Sequence, residues 1–408
     1  MSRVRNRGCA GGCLRRHLAS LIGAVGFLVG LCGSHNAHAQ NLPSATIGNA
    51  STSEYYSSVV GTNGVNGQDA TYDAAKFECT ISAGSSGYAP AEVSALSVNL
   101  TATSGLVSGI VVNSQGGAGG WGGNNGNSGC AGVSGADAGA GGNGGIVQVM
   151  LNGSQTYPAA AFAGAGLYVQ SIGGDGGNGG YSTEGGNGGN GGVGGRGGNV
   201  TVTNDTFIST SGSGGYGIWA LSAGGWGGSG GGASYWVPTD STGGSGSAGA
   251  AGGSVEANNY GQITTPQSIP IFAQSIGGNG GSGASGNASW AGVIGGGGGG
   301  SGGYGGSGGQ VMANNLGNLT SYMTGGFGAF AQSLGGGGGA AGASAGLLAL
   351  GAQGGYGANG STVWVNSYSG SVIAVGGASS AGLFGQSVGG EGHRRICQWL
   401  GQCRGRGR

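Results

Sequence analysis

The stretch IFAQSIGGNGGSG (residues 271–283) joins a short apolar run to a tract of glycines. Five further copies of this pattern begin at Ile110, Leu167, Ile218, Ala329 and Leu383. The six copies align on the serine that ends the apolar run. These serines, which lie 57, 51, 53, 58 and 54 residues apart, are Ser114, Ser171, Ser222, Ser275, Ser333 and Ser387. Such regular recurrence predicts a repeat architecture with a period of about 54 residues.

The apolar run before each serine is short and rich in aromatic and branched residues, which is typical of a β-strand. A second run lies midway in each unit, as in GGNVTVTND (residues 197–205), and alternates apolar with polar residues. Strands that return once per repeat bury their apolar faces against the neighbouring unit. The sequence therefore predicts an all-β fold: a right-handed parallel β-helix, or solenoid, with glycine-rich loops.

Polar residues also recur at fixed places and are predicted to be structural anchors of the repeat. The glutamines directly before four of the serines are Gln170, Gln274, Gln332 and Gln386. We expect these glutamines and the serines to form ladders or corners, stacking side-chain hydrogen bonds between units. The second recurring set, which precedes glycines, is Asn258, Asn314 and Asn366. Asparagine tolerates left-handed backbone and bonds its own turn, so a turn is expected there.

The tracts between the strands have a period of three, clearest over residues 173–199. Two interpretations remain open. Extended, polyproline-II-like glycine segments can pack side by side, since glycine permits close approach of backbones. Alternatively, the tracts are flexible, since glycine loses the most entropy on ordering. Aromatic residues interrupt the tracts and are expected to pin them, with binding platforms as the alternative; they are Trp121, Tyr181, Trp226, Trp290 and Tyr304.

Composition excludes several classes of protein. Glycine supplies 113 of 408 residues, yet there are only 6 prolines, which excludes a collagen triple helix. Charged residues make up 6% of the chain, which argues against ordinary solvating disorder. Residues 40–390 carry eleven acidic residues against Lys76 and Arg196 alone. Nucleic-acid binding is not expected, because it needs clustered basic residues.

The N-terminal residues 1–39 are predicted to be a secretory signal peptide. Five arginines precede the apolar stretch LASLIGAVGFLVGLCG, and AHA at residues 37–39 offers small residues at a cleavage site. We therefore expect export across the inner membrane.

Catalytic, cofactor and metal sites are not predicted. Residues 40–390 contain no histidine, which removes the usual general base and the commonest metal ligand. The acidic residues show no spacing that would pair them as acid and base. The chain is therefore expected not to be an enzyme. Two isolated cysteines, Cys79 and Cys130, leave a disulfide open as a possibility.

Four regions are predicted: the signal peptide at 1–39, an N-terminal segment at 40–95 that caps the solenoid, the repeats at 96–390, and a basic tail at 391–408. The tail, EGHRRICQWLGQCRGRGR, contains arginine, cysteine and histidine, which the repeats almost lack. A shifted reading frame is the favoured explanation, because glycine codons read out of frame encode arginine and tryptophan. The alternative is a genuine tail that binds acidic surface polymers or lipid head groups.

The basic signal peptide and the AQSIGGNGG-type repeats resemble one group of autotransporter proteins of Gram-negative bacteria. The resemblance implies a secreted passenger, often a β-helix displayed at the cell surface, and a C-terminal β-barrel that anchors it in the outer membrane. Only 21 residues follow Ser387, too few for such a barrel. We therefore expect a truncated passenger that is periplasmic or secreted, whereas the intact family is extracellular.

The function expected from these features is that of an exported, non-enzymatic surface protein with an adhesive or surface-layer role. The sequence leaves three kinds of ligand open: a host or abiotic surface, a polysaccharide, or a second copy of the protein in self-association. The outer membrane is a partner only through a barrel that this chain lacks. The alternative is a purely structural glycine-rich envelope protein with polyglycine-type packing. A polysaccharide-acting enzyme would instead need carboxylates clustered on one face.

Overall fold

A computed structural model describes residues 45–48, 55–88, 95–104, 109–152, 156–159, 165–210, 216–234, 240–286, 296–346, 351–398 and 402–407. The chain divides into two compact units, Met1–His38 and Ala39–Arg408, and every described residue belongs to the second. The predicted signal peptide therefore lies outside the described residues, as does Trp290.

The described residues are nearly all β-structure. One 3₁₀ turn spans Ser128–Cys130. The strands are, in chain order, β1 Ala45–Gly48, β2 Tyr55–Val60, β3 Thr71–Asp73, β4 Glu78–Thr80, β5 Ala95–Ser104, β6 Ile110–Gln115, β7 Ile146–Asn152, β8 Thr156–Ala159, β9 Ala165–Ile172, β10 Val200–Asn204, β11 Phe207–Thr210, β12 Tyr216–Ala223, β13 Val255–Asn259, β14 Gln262–Thr265, β15 Ile271–Ile276, β16 Gly296–Gly297, β17 Val311–Asn315, β18 Asn318–Ser321, β19 Phe327–Leu334, β20 Ala345–Gly346, β21 Val363–Ser367, β22 Val372–Val375, β23 Ala381–Val388, β24 His393–Gln398 and β25 Gln402–Gly407.

Three parallel sheets organise most of these strands. Sheet I has the order β1-β5-β7-β10-β13-β17-β21, sheet II has β8-β11-β14-β18-β22, and sheet III has β2-β6-β9-β12-β15-β19-β23. Each strand thus pairs with its counterpart from the next repeat. The aligned serines pair with one another in sheet III, as Ser171 does with Ser222 and Ser275 with Ser333.

The three sheets share one hydrophobic core. Sheet I contributes Val200 and Val202, sheet II contributes Ile208, and sheet III contributes Ile218 and Ala220. In β10 and β11 buried residues alternate with partly exposed ones, because only one face of these strands meets the core. Strands β6, β9, β12 and β15 of sheet III are buried on both faces, whereas its last strand, β23, is partly exposed. The second face of sheet III carries a column of aromatic side chains whose rings contact one another in tilted or edge-to-face arrangements: Tyr168, Trp219, Phe272, Phe330 and Phe384.

Each complete repeat has three strands where the sequence predicted two. The stretch VEANNYGQITT divides into β13 and β14, and a tight turn at Tyr260 and Gly261 separates them. Asn259 holds this turn, because its Nδ2 donates to the Gly261 carbonyl at 3.0 Å. Asn315 bonds the Gly317 carbonyl in the same way at 2.9 Å.

The turn predicted at Asn258, Asn314 and Asn366 was therefore wrong by one residue. These three asparagines lie within strands of sheet I, and none has a positive φ. The alternation of a strand explains the difference. The last residue of β13 points inward, where the carbonyls of the corner need donors, and the residue before it points outward.

The segment 40–95 was expected to be a cap. Its described residues provide β1 and β2, the first strands of sheets I and III, and the capping role stays a prediction. They also provide a glycine-containing tract at 61–88 that hydrogen-bonds to the next one, as Gly64 N–H does to the Ala118 carbonyl at 2.7 Å. The repeated architecture thus begins before residue 96. At the other end, β24 and β25 form an antiparallel hairpin within the basic tail.

A disulfide joins Cys79 and Cys130, whose Cα atoms lie 5.6 Å apart. Cys79 lies within the tract 61–88 and Cys130 midway along the next tract, so the bond holds the first of these tracts to the second. Because the two cysteines lie 51 residues apart in the sequence, the bond also restricts the unfolded chain.

The described parts of the glycine tracts are joined to one another by backbone hydrogen bonds, which favours the first of the two interpretations of the triplet period. Each tract has a first leg that leaves sheet III and a second leg that returns to sheet I. In a first leg, one glycine of each triplet bonds the first leg of the next repeat, as Gly176 N–H does to the Trp226 carbonyl at 2.8 Å. The next glycine bonds the second leg of the preceding repeat, as Gly177 N–H does to the Gly139 carbonyl at 3.0 Å.

Second legs follow the same rule, so the legs form two layers that contact each other. Gly191 N–H donates to the Ser245 carbonyl in the next second leg at 3.0 Å. Gly192 N–H donates to the Gly177 carbonyl in its own first leg at 2.8 Å. Both glycines of a triplet thus face neighbouring legs, whereas the third residue faces away from both layers and lies on the surface.

Glycine is required in these legs because the backbones are in contact. A Cβ added at Gly177 would lie 2.1 Å from the carbonyl oxygen of Gly120, and a Cβ at Gly192 would lie 1.8 Å from that of Gly139. Such positions contrast with Gly232, a third residue of a triplet, where an added Cβ meets nothing within 4 Å.

We predict that Gly177→Ala destabilises the protein by about 1–3 kcal/mol or more, because two legs must separate to admit the methyl group. Gly232→Ala is the matched control and should be neutral or stabilising by up to about 1 kcal/mol. Denaturant unfolding followed by circular dichroism measures both. Equal midpoints for the two variants would contradict close packing of the legs.

Candidate functional site

The recurring serines lie where sheet III meets the glycine legs. Ser222 Oγ accepts a hydrogen bond from Gly253 N–H at 2.8 Å and donates to the Gly198 carbonyl at 2.7 Å. It thereby joins the ends of the second legs of two successive repeats. Ser171, Ser275 and Ser333 make the same pair of bonds. Ser114 accepts from Gly145 N–H, and Ser387 extends the column at the end of sheet III.

The glutamines and asparagines form ladders along the sheets. Gln274 Nε2 donates to Gln332 Oε1 at 2.7 Å, and Gln332 Nε2 donates to Gln386 Oε1 at 2.6 Å. Leu221 interrupts this column beside Gln274, whose Oε1 is left buried without a partner. Gln170, on the other side of the interruption, accepts from the Tyr168 hydroxyl.

Two asparagine ladders run side by side in sheet I. The predicted residues form the outer one: Asn366 donates to Asn314, and Asn314 donates to Asn258. An inner ladder joins Asn204, Asn259 and Asn315, which the sequence interpretation missed although they recur just as regularly. These residues are structural, and functional chemistry must be sought on the exposed surface of the glycine layers.

Third residues of the triplets form that surface, and many of them bond across the legs. Their carbonyl or carboxylate oxygens accept the backbone N–H of the third residue in the next repeat, which would otherwise face solvent. Asn178 Oδ1, for example, accepts from Ser229 N–H at 2.9 Å. The residues that accept in this way are Asn63, Asn66, Asp69, Asn124, Asp137, Asn143, Asp175, Asn178, Asn187, Asn190, Asn199 and Asn279.

Three aromatic residues lie on the surface of the first legs, which we call the outer face. Trp121, Tyr181 and Trp226 are 60%, 47% and 55% exposed. That they pin the glycine tracts stays a prediction. Backbone hydrogen bonds hold the legs, and about half of each of these side chains lies in solvent. Large exposed aromatic side chains on a rigid surface are typical of binding sites, since few rotamers are lost when they make contact.

Asp175 lies beside Trp226 on the outer face. Its Oδ1 accepts from Trp226 N–H at 2.7 Å. Burial raises the pKa of the Asp175 carboxyl above its ordinary value of 3.8, and the hydrogen bond from Trp226 lowers it by less. Because the accessible area of the side chain is that of an exposed residue, solvent screens the charge, and the charged carboxylate costs only a little stability at neutral pH. With Asp69, it gives the described part of the outer face an acidic character.

The second legs carry a different aromatic pair. Tyr304 and Tyr356 occupy equivalent places in adjacent legs, and their rings are stacked 5.8 Å apart with an interplanar angle of 5°. Both are more than half exposed. Tyr304 also lines a shallow groove of about 320 Å³. The groove, which we call the tyrosine groove, is lined by Gly246, Ser247, Ala248, Ser301, Gly302, Gly303, Tyr304, Gln353 and Gly354.

Charged side chains are sparse among the described residues. Acidic, histidine and cysteine side chains form no group of three in that part of the chain that would hold a metal ion. The ion pair between Lys76 and Asp73, at 3.3 Å, is exposed and local. A search of the same residues for a helix that is long and apolar enough to cross a membrane finds none.

Comparisons of the chain with models of protein families, with curated proteins and with solved structures find no match. Function must therefore be inferred from the geometry of the exposed faces.

We predict that Ser222→Ala destabilises the protein by about 1–3 kcal/mol, because it leaves Gly253 N–H and the Gly198 carbonyl without this partner. Ser307→Ala, at an exposed third residue of a second leg, is the control and should leave stability unchanged. The free energy of unfolding in denaturant measures both, and an unaffected Ser222→Ala variant would show that the junction does not depend on the serine.

Asp175→Asn should stabilise the protein at pH 7. Asparagine keeps the oxygen that accepts from Trp226, as Asn178 shows at the next triplet, but removes the partly buried charge. Because the folded-state pKa is raised, the cost of ionisation appears as pH rises above 3.8 through the folded-state value. The difference in thermal midpoint between variant and parent should therefore vanish below that window. A variant that is less stable at pH 7 would mean that the charged hydrogen bond outweighs desolvation.

Proposed function

We propose that the three sheets are the faces of a right-handed parallel β-helix with a period of about 54 residues. Two observations support this fold. Every strand of sheets I, II and III pairs in parallel with its counterpart one repeat later, and the residues that pair include the aligned serines. Parallel strands of one sheet are joined by right-handed crossovers in nearly all proteins, which supports the hand.

On this scaffold we propose an exported, non-enzymatic surface protein that adheres through its glycine layers. The observation that carries the proposal is the outer face, where hydrogen-bonded legs hold Trp121, Tyr181 and Trp226 exposed. A monomeric protein gains nothing in stability from such exposure, whereas a binding surface uses aromatic rings as anchors. The resemblance of the repeats and of the N-terminus to autotransporters supports an origin as a passenger region.

The absence of histidine from residues 40–390 supports a non-enzymatic role, as does the use of carboxylates in structural bonds. Asp69, Asp137 and Asp175 each accept a backbone N–H from the neighbouring leg, so they act as connectors of the surface. A polysaccharide-acting enzyme would need two such carboxylates facing one bond of the substrate.

The second candidate function is purely structural: a glycine-rich envelope protein that fills space and resists unfolding. The packed legs favour it, because their backbone hydrogen bonds give a dense layer without any ligand. The structural candidate does not explain why aromatic residues are exposed on the outer face. The two functions therefore differ in what is expected when the outer-face rings are removed.

Adhesion of the full chain to cellulose, chitin and polystyrene beads tests the proposal. We predict that the triple variant Trp121→Ala, Tyr181→Ala, Trp226→Ala loses about tenfold or more in retained protein, because each buried aromatic anchor contributes about 1–2 kcal/mol or more. The variant should fold normally, since the three side chains are surface residues of the legs.

A matched control removes three exposed tyrosines away from the glycine layers: Tyr260→Ala, Tyr322→Ala, Tyr368→Ala. These side chains are 51%, 63% and 47% exposed and lie on the turns that follow strands of sheets I and II. The control should adhere like the parent. If the outer-face variant adheres as well as the parent, or the parent adheres to none of the beads, the adhesive function is wrong and the structural candidate remains.

A further inference from the structure

We propose that the tyrosine groove is a separate binding site for a neutral glycan chain. It lies on the surface of the second legs, which is the opposite surface to the outer face. The inference rests on the proposed adhesive function and names a ligand class that this function leaves open. Three features of the groove carry it: an aromatic wall, a hydrogen-bonding wall and a floor of backbone.

Tyr304 provides the aromatic wall. Its ring is held in place by the parallel stack with Tyr356, yet 58% of the residue is exposed. In the preceding leg the equivalent residue is Ala248, since Gly249 N–H donates to the Tyr304 carbonyl and so aligns the two. The small alanine leaves space beside Tyr304 where a larger side chain would continue the column. A ligand ring placed above Ala248 would rest against tyrosine without displacing any side chain.

The opposite wall is polar and uncharged. Ser301 and Gln353 are equivalent residues of adjacent legs, aligned by the bond from Gly302 N–H to the Gln353 carbonyl at 2.8 Å. Their hydroxyl and amide groups offer both donors and acceptors. Between the walls, Gly246, Gly302 and Gly303 form a floor without side chains, so a ligand can approach the peptide groups closely.

This combination matches a sugar ring better than other ligands. A pyranose has apolar C–H faces that pack against an aromatic ring and a rim of hydroxyls that need paired donors and acceptors. The lining contains no charged side chain, so neither a phosphate nor an acidic polymer finds a counter-ion. The groove crosses three adjacent legs and is open along its length, which suits a chain of sugars.

Affinity electrophoresis of the full chain in gels containing hydroxyethylcellulose, dextran or galactomannan tests the proposal. Carboxymethylcellulose, which has the cellulose backbone and added negative charge, is the matched anionic polymer. We expect at least one neutral polymer to retard the parent chain, and carboxymethylcellulose to retard it less than hydroxyethylcellulose.

Two variants should weaken the retardation at least tenfold for opposite reasons. Tyr304→Ala removes the aromatic wall, and Ala248→Tyr fills the space beside it while retaining the stack. Ser301→Ala, which removes no ring, should weaken it by a smaller factor. Tyr260→Ala is the control and should behave like the parent. Circular dichroism melting of each variant separates loss of binding from loss of fold, and Ala248→Tyr keeps the test valid if Tyr304→Ala melts early.

The proposal is overturned if no neutral polymer retards the parent, or if Tyr304→Ala and Ala248→Tyr are retarded as strongly as the parent. The bead assay distinguishes this failure from that of the adhesive function. If the beads retain the parent through the outer face and the groove variants have no effect on retention or retardation, the adhesive function stands and the groove proposal fails. If the beads retain nothing while the gels retard the parent, the groove stands and adhesion through the outer face fails.

Discussion

The glycine legs depend on one constraint: an extended leg makes no hydrogen bonds within itself, so neighbouring legs must satisfy its peptide groups. Two successive glycines of each triplet meet this requirement by bonding in two directions, to the next leg of the same layer and to a leg of the other layer. The backbones then approach so closely that a single methyl group would collide with a carbonyl oxygen. The abundance of glycine in the sequence is a consequence of this geometry, in which each leg is stable only between its neighbours.

The sheets fix the alignment of successive repeats, which the glycine layers alone do not fix. Identical triplets can slip by three residues without any change in their hydrogen bonds, so the legs do not define their own alignment. The apolar strands do, because such a slip would move buried residues of sheets I and II to the exposed faces of these sheets. Serines such as Ser171 and Ser222 hold the legs in the same alignment, since each forms hydrogen bonds with glycines at the ends of two successive second legs. The ladders of glutamine and asparagine add further alignment within the sheets.

Local patterns in the sequence predict the strands of sheets I and III, and the spacing of the repeated serines anticipates which strands pair. The third strand of each repeat was missed because runs such as QITT are only four residues long and follow the previous strand after two residues. The turn was assigned to Asn258 rather than Asn259 because adjacent asparagines look alike until the inward side of the strand is known. Whether the legs are packed or flexible could not be decided from the sequence, since the same triplets are compatible with a flexible tract and with a packed one. Tyr356 was overlooked as a partner of Tyr304 because their contact depends on the alignment of adjacent legs.

The third residue of each triplet has a consequence for how this surface can change. Its side chain meets neither the core nor the adjacent layer. Apart from the asparagines and aspartates that accept a backbone N–H from the next repeat, the identity of the residue is therefore decoupled from the packing of the fold. Gly232, Trp226 and Ser229 occupy successive triplets of one leg, although they differ greatly in size and chemistry. These side chains are therefore arranged regularly on the surface, and the residues that make no such bond can be substituted one at a time. Its binding preferences can therefore diversify rapidly among related chains while the scaffold beneath them stays the same.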